Sequence, residues 1–165
     1  MAYGYLSDIR LVATDCDGVL TDGGMYYTEN GDVMKRFHVL DGMGFVRLHE
    51  YGIATALITS ENTPIVQRRA EKLHITYLVQ GTKDKKGALE SICREMGIGL
   101  QQACYIGDDL FDLPAIQACG FGCAPPNALK IVREGAAYVT ELAGGYGCFR
   151  EVAELIISEI VSGQA

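Results

Sequence analysis

Apolar residues fall into two alternating patterns along this chain. Short runs rich in β-formers occupy 9–14, 53–59, 77–79, 103–106 and 121–123, with a brief one at 138–139. Between them apolar positions recur every three to four residues, which predicts helices over 42–51, 64–73, 86–96, 110–118, 128–134 and 149–161. Thr63-Pro64 supplies a hydroxyl cap followed by proline at the first helical position, and Gly97 and Gly120 are natural helix stops. Strands separated by helices need right-handed crossovers. The pattern therefore predicts an α/β fold, a Rossmann-like, doubly wound, mostly parallel sheet in three layers.

One segment departs from the alternation. Residues 24–37 read as a β-hairpin, with Gly24-Met25-Tyr26-Tyr27-Thr28 and Val33-Met34-Lys35-Arg36-Phe37 folded back around Asn30-Gly31. A hairpin of this size is too small to be a lid. No internal repeat, low-complexity tract or linker interrupts the chain, so residues 1–165 are read as one domain carrying this insertion.

Composition narrows the class. With 48% hydrophobic and 21% charged residues the chain is that of a globular protein large enough for a substantial core. It lacks a charged-then-apolar leader, and its apolar stretch 152–161 is interrupted by Glu154 and Glu159. The expectation is a cytoplasmic protein with no membrane partner. A net charge of −7 without a basic stripe argues against a nucleic-acid partner. Six scattered cysteines form no CxxC pair and read as small buried thiols. His38, His49 and His74 lack metal-ligand spacing. The last two read as surface or helix-flanking residues, while His38 ends the hairpin and its role stays open.

Candidate chemistry gathers at the predicted strand ends. The first strand runs into Asp15-Cys16-Asp17-Gly18, where alternation sends Asp15 and Asp17 to one side and Cys16 to the core. Paired carboxylates there allow one to attack an electrophile while the other manages a proton, and together they suit a divalent metal. A polar turn after a strand is the plainer reading of the same four residues. A second strand ends in Gly107-Asp108-Asp109, with Asp112 just beyond, and a third in the hydroxyls Thr59-Ser60; Lys83, Lys85 and Lys86 cluster nearby. Ligands of doubly wound sheets bind beyond the carboxyl ends of the strands, so these groups are expected to converge on one site.

Taken in this order, these residues resemble the four motifs of the haloacid dehalogenase superfamily of phosphohydrolases, over nearly the whole chain. The resemblance implies Asp15 as nucleophile, Asp17 as general acid/base, Thr59 as phosphate-binding hydroxyl, Lys85 as the catalytic lysine and Asp108 as a distal metal ligand. Lys85 is preferred to Lys83 and Lys86 for its spacing from Gln80-Gly81. It further implies a magnesium ion held by Asp15, Asp17 (through its backbone carbonyl) and Asp108, with Asp109 and Asp112 in support. Magnesium and Lys85 would supply the positive potential that an acidic chain needs to bind a phosphate dianion.

The capless form with a hairpin, together with Asp17-Gly18-Val19-Leu20-Thr21-Asp22-Gly23, Asp41-Gly42-Met43-Gly44 and Gly144-Gly145-Tyr146-Gly147-Cys148-Phe149-Arg150-Glu151, looks like the 3-deoxy-octulosonate 8-phosphate phosphatases and their nonulosonate 9-phosphate relatives. That group implies a small phosphorylated acidic sugar as partner and a homotetramer assembled through the hairpin. The octulosonate enzymes usually read Thr-Gly-Arg after the phosphate-binding threonine, whereas this chain has Thr59-Ser60-Glu61. Glu61 with Arg69 and Lys72 is closer to the nonulosonate, sialic-acid-type enzymes, and Ser60 replaces a glycine of both. Ser60, Glu61, Arg69, Lys72 and Arg150 are accordingly the candidate substrate-binding residues. Arg69 and Lys72 share a helix face that suits a sugar carboxylate, and equally suits a solvated helix end favoured by the macrodipole. Two other readings remain at this point: a phospho-accepting response-regulator-type domain, and a non-catalytic partner of a cytidylyltransferase. The first carries its acceptor on a later strand than its acidic pair, whereas here the first strand end supplies both Asp15 and Asp17; intact Asp15, Asp17, Lys85 and Asp108 speak against the second.

Overall fold

The computed structural model describes residues 4–163. After a 3-10 turn at Gly4–Asp8 come β1 (Leu11–Thr14), the hairpin strands β2 (Tyr26–Thr28) and β3 (Gly31–Met34), α1 (Val39–Glu50), β4 (Ala54–Ile58) and α2 (Pro64–Lys72). There follow β5 (Tyr77–Val79), α3 (Lys85–Met96), β6 (Ala103–Ile106), α4 (Leu113–Ala118), β7 (Phe121–Ala124), α5 (Lys130–Gly135), β8 (Tyr138–Val139) and α6 (Cys148–Gly163). The six main strands form one parallel sheet in the order β5-β4-β1-β6-β7-β8, and β2 and β3 pair with each other as an antiparallel ribbon. This is the Rossmann-like α/β fold that the periodicity predicts. No helix among the described residues is long and apolar enough to cross a membrane.

Alternation along the central strands divides the core between the two faces of the sheet. Val12, Leu57, Cys104 and Ile106 pack with Phe45 and Leu48 of α1, Val66 and Ala70 of α2 and Phe149 of α6. Leu11, Ala13, Ala56, Ile58 and Tyr105 point the other way, onto Leu89 of α3, Ile116 of α4 and Val132 of α5. Strands buried on both sides read as continuous apolar runs, as these do. All six cysteines are free and buried, and Cys16 lies in the first of the two clusters.

Several element ends differ from the periodicity, each for a local reason. α1 starts at Val39 rather than 42, because His38 caps it: its backbone is extended and its Nδ1 accepts from Leu40 N at 3.2 Å. α3 starts one residue early, at Lys85, behind the Asp84 cap whose Oδ1 accepts from Gly87 N at 2.9 Å. α4 starts at Leu113, not 110, since residues 107–112 are a loop closed on the Asp112 side chain. Thr63 caps α2 and Gly97 ends α3 in the left-handed conformation, as their residue types predict.

In-register pairing puts the ends of the three central strands level. Thr14 lies opposite both Leu57 of β4 and Ile106 of β6, so the residues that follow each strand emerge at one edge. Asp15 and Thr59 are those residues, and Asp108 comes one residue further on, after Gly107.

Candidate active site

At the end of β1 the ladder continues one step, with Asp15 N donating to Ile106 O at 2.9 Å. The chain then turns at Gly18, whose φ of +89° favours glycine and whose missing side chain is a second requirement. A Cβ there would collide with the carboxylate of Asp108. The turn is held from behind by the glycine-rich tail. Asn127 Nδ2 donates to Gly18 O at 2.9 Å and its Oδ1 accepts from Gly144 N at 2.7 Å, while Gly145 N donates to Val19 O at 2.8 Å. Gly144 has to be glycine because a Cβ would strike Gly18 O.

Four charged side chains then meet behind the sheet edge. Lys85 Nζ lies 2.8 Å from Asp15 Oδ1 and 2.8 Å from Asp112 Oδ1. Asp112, with no exposed surface, is the hub: Oδ1 also accepts from Tyr105 OH at 2.8 Å, and Oδ2 accepts from the backbone N–H of Asp108 (3.2 Å) and Asp109 (3.0 Å). Four donors fill its lone pairs. Asp15, Asp108 and Asp112 each bring a carboxylate oxygen within 4.8 Å of the others. Burial pushes the Asp15 carboxyl well above the ordinary range, the charge of Asp112 adds to this, and Lys85 only partly offsets it. Burial and then Asp112 push Asp108 up to about 7. Burial alone would lower the Lys85 ammonium, but Asp15 and Asp112 outweigh it and leave it above its usual value.

The other aspartate of the pair has its own lysine. Lys35, just after β3, places Nζ 2.9 Å and 3.0 Å from the two oxygens of Asp17, and Thr21 Oγ1 donates to Oδ1 at 3.2 Å. Thr59, nearly fully buried, accepts from Glu61 N at 3.2 Å, and Ser60 Oγ donates to Thr82 O at 3.2 Å. Asp15, Asp17, Thr59, Ser60, Glu61, Lys85, Asp108 and Asp109 line one open cavity, whose apolar wall is Met25 and Phe111.

A carboxylate paired with a buried ammonium, a second carboxylate two residues on and a hydroxyl gather at one sheet edge, a set of groups suited to phosphoryl chemistry. Comparison with known proteins agrees. Residues 44–120 match the haloacid dehalogenase-like hydrolase family. The chain is 39% identical over 152 residues to the 3-deoxy-D-manno-octulosonate 8-phosphate phosphatase KdsC of Haemophilus influenzae, covering 92% of this chain and 84% of that one. This chain belongs to the haloacid dehalogenase-like hydrolases. Among solved structures it is similar to the 3-deoxy-D-manno-octulosonate 8-phosphate phosphatase of Moraxella catarrhalis, crystallised with a magnesium ion, a phosphate ion and a KDO molecule. There the TM-score is 0.93 and the identity 41%, over 96% of this chain and 91% of the other. The cobalt-bound enzyme of Haemophilus influenzae gives 0.92 and 38%, over 95% and 92%. With such relatives this member of the family is a phosphoric monoester hydrolase.

The chemistry of the donors in this hydrolase fits a divalent cation. Three carboxylates facing one ammonium leave the cluster short of positive charge, and Asp108 Oδ1 is buried with no hydrogen-bond partner among the described residues. Asp112 is saturated, so Asp15 and Asp108 are the carboxylates left to offer oxygens. The Asp17 carboxylate is turned to Lys35.

Of the three candidate lysines, Lys85 is the one on Asp15. Lys86 pairs with Glu90 on the surface of α3 at 3.5 Å, and Lys83 sits over the Phe111 ring, 5.4 Å from its centre. The substrate-binding candidates divide between two cavities. Ser60 and Glu61 line the acidic cavity. Arg69 and Lys72 line a second groove with Phe37, His38 and Met43, where Arg69 donates to His38 O at 3.3 Å. The reason is geometric: α2 begins near the sheet edge and rises about 1.5 Å per residue, which carries its last turn on the order of 10 Å away. Arg150 lines neither cavity; its Nε pairs with Glu154 at 2.8 Å, and Glu151 instead accepts from Glu141 N, Leu142 N and Tyr138 OH. Two important residues were not singled out for these positions from sequence, Lys35 and the hub role of Asp112. No periodicity marks either. The one hint was a lysine closing a hairpin that returns directly to the Asp15-Asp17 turn.

Proposed function

We propose that this hydrolase removes the terminal phosphate of a 3-deoxy-2-ulosonic acid phosphate, octulosonate 8-phosphate in the first instance, through an aspartyl-phosphate. The observation that carries this is the buried Asp15–Lys85–Asp112 chain beside Asp108, in a chain whose similar proteins are named for that substrate. Asp15 attacks phosphorus as the bond to the sugar oxygen breaks. The Asp17 carboxyl gives its proton to that oxygen, and the sugar leaves as an alcohol. Water then attacks the aspartyl-phosphate, Asp17 takes its proton, and phosphate departs from a regenerated Asp15. Lys85 and the Thr59 hydroxyl meet the phosphoryl oxygens as charge develops on them. Asp15, Asp108 and the Asp17 carbonyl would hold magnesium, which supplies positive charge against the substrate dianion. The protein is read as one cytoplasmic domain.

A nonulosonate 9-phosphate is the second reading, favoured by Glu61 where the octulosonate enzymes carry arginine, with Glu61 lining the cavity. Phosphate release with magnesium from octulosonate 8-phosphate, nonulosonate 9-phosphate and a hexose phosphate separates the readings. The expected outcome is a kcat/KM at least about 10²-fold higher on octulosonate 8-phosphate than on the hexose ester. Preference for the nine-carbon substrate establishes the second reading, and equal rates on all three overturn both.

A further inference from the structure

Each aspartate of the Asp15-Asp17 pair holds its own buried lysine, and only one of the two belongs to the sheet edge. Lys85 is the first residue of α3, whereas Lys35 is delivered by the hairpin, with its side chain 1% exposed. Burying an ammonium is costly without a partner and good geometry. Lys35 has both, spanning the two Asp17 oxygens at 2.9 Å and 3.0 Å. The root of the hairpin is fixed beside the same turn: Thr21 bridges Phe37, and the Thr21 hydroxyl that donates to Asp17 also accepts from Gly18 N at 3.3 Å and Gly23 N at 3.2 Å. Hairpin, turn and carboxylate are thus tied together.

We propose that Lys35 is the positioning residue of Asp17, and that the hairpin serves the chemistry by carrying it. A carboxylate on a turn has several rotamers, and only one aims it at the oxygen that leaves from phosphorus. Lys35 and Thr21 select that rotamer through their bonds to the carboxylate. Oδ1 carries two donors and Oδ2 only Lys35, so Oδ2 is the oxygen placed to exchange the proton. This rests on the proposed role of Asp17 and makes a distinct claim about what holds it there.

The test uses the leaving group as its readout. Lys35→Met, Lys35→Arg, Lys35→Gln and Asp17→Asn are made in the full chain and assayed with magnesium on octulosonate 8-phosphate and on p-nitrophenyl phosphate. The sugar alkoxide needs a proton as it leaves, whereas the nitrophenolate barely does. For Lys35→Met we expect kcat/KM, which reports formation of the aspartyl-phosphate, to fall about 10–10²-fold on the sugar phosphate and at least about ten-fold less on the aryl ester, while the water step common to both slows alike. Lys35→Arg recovers most of the loss. Lys35→Met added to Asp17→Asn costs nothing further, since both disable one device. Should Lys35→Met fail to fold, Lys35→Gln, which keeps one donor, carries the same test. Equal losses of kcat/KM on both esters, a loss confined to KM, or additivity with Asp17→Asn overturns the positioning role. Full sugar-phosphate turnover in Asp17→Asn overturns the acid/base reading itself, a result separable from any behaviour of Lys35.

Discussion

Asp15 and Asp112 sit on the same ammonium and should fail in opposite ways when altered. Asp15 is held above its ordinary pKa, so above that range its ionised form weakens the fold, because the native state favours the proton more than the unfolded chain does. Asp15→Asn removes that charge. It should abolish turnover on the sugar phosphate while the metal-free protein melts no lower, and at about pH 8.5 higher, than the wild type. Asp112→Asn does the reverse, since an amide nitrogen must face either Lys85 and Tyr105 or two backbone N–H groups, all of them donors. Thermal melts should show it clearly destabilised, with turnover down about 10²-fold through misplacement of Lys85 and Asp108. A stable, active Asp112→Asn would refute the hub. The gathering of Asp15, Asp17, Asp108 and Lys85 was legible from sequence because the aspartates lie within three residues of a strand end and Lys85 opens a helix. Asp112 was expected only in support of the metal ligands and Lys35 not at all, because their partners are set by how loops close, which leaves no trace in apolar spacing.

At the scale of elements, the motif Asp41-Gly42-Met43-Gly44 has a structural meaning that resemblance alone did not give. Asp41, buried in α1, accepts from Gly147 N at 3.2 Å, Phe149 N at 3.0 Å and Arg150 N at 3.3 Å. It therefore caps α6 from another helix. Phe45 and Phe149 stack in the same seam, with centroids 4.1 Å apart. A buried cap supplied across a helix pair leaves several orphan donors when removed. Asp41→Ala should cost about 2–3 kcal/mol in denaturant unfolding, and Asp41→Asn about half as much. An unchanged midpoint for Asp41→Ala would show that water satisfies those groups. Helix existence and order were readable from the 3.6-residue pattern, but α1 and α4 begin where His38 and Asp112 decide. Those are side-chain events, and a cap from a distant helix is invisible to any local window.

At the scale of the molecule, the hairpin is the part of the fold that its own chain does not explain. Met25, Tyr26, Tyr27, Val33 and Met34 are all exposed, Tyr27 by 63%, on a two-stranded ribbon that in isolation is marginal in water. Pairing with copies of itself in a closed homotetramer would match its open strand edges and apolar faces, and is the assembly we expect. The second groove, with Arg69 and Lys72 beside the exposed Val39, Met43 and Val46, gives such an assembly a purpose. In that assembly we expect Arg69 and Lys72 of a neighbour to meet the sugar carboxylate. Cutting out the hairpin would not isolate this, because it would also remove Lys35 from Asp17. Tyr27→Ser with Val33→Ser leaves Lys35 in place and breaks only the outer faces. Sedimentation should find a tetramer in the wild type and smaller species in the double variant, whose KM for octulosonate 8-phosphate rises about ten-fold or more. Arg69→Ala should raise KM similarly in the tetramer and add nothing in the dissociated variant. A monomeric wild type with full activity on its sugar phosphate would leave the exposed hairpin without this role.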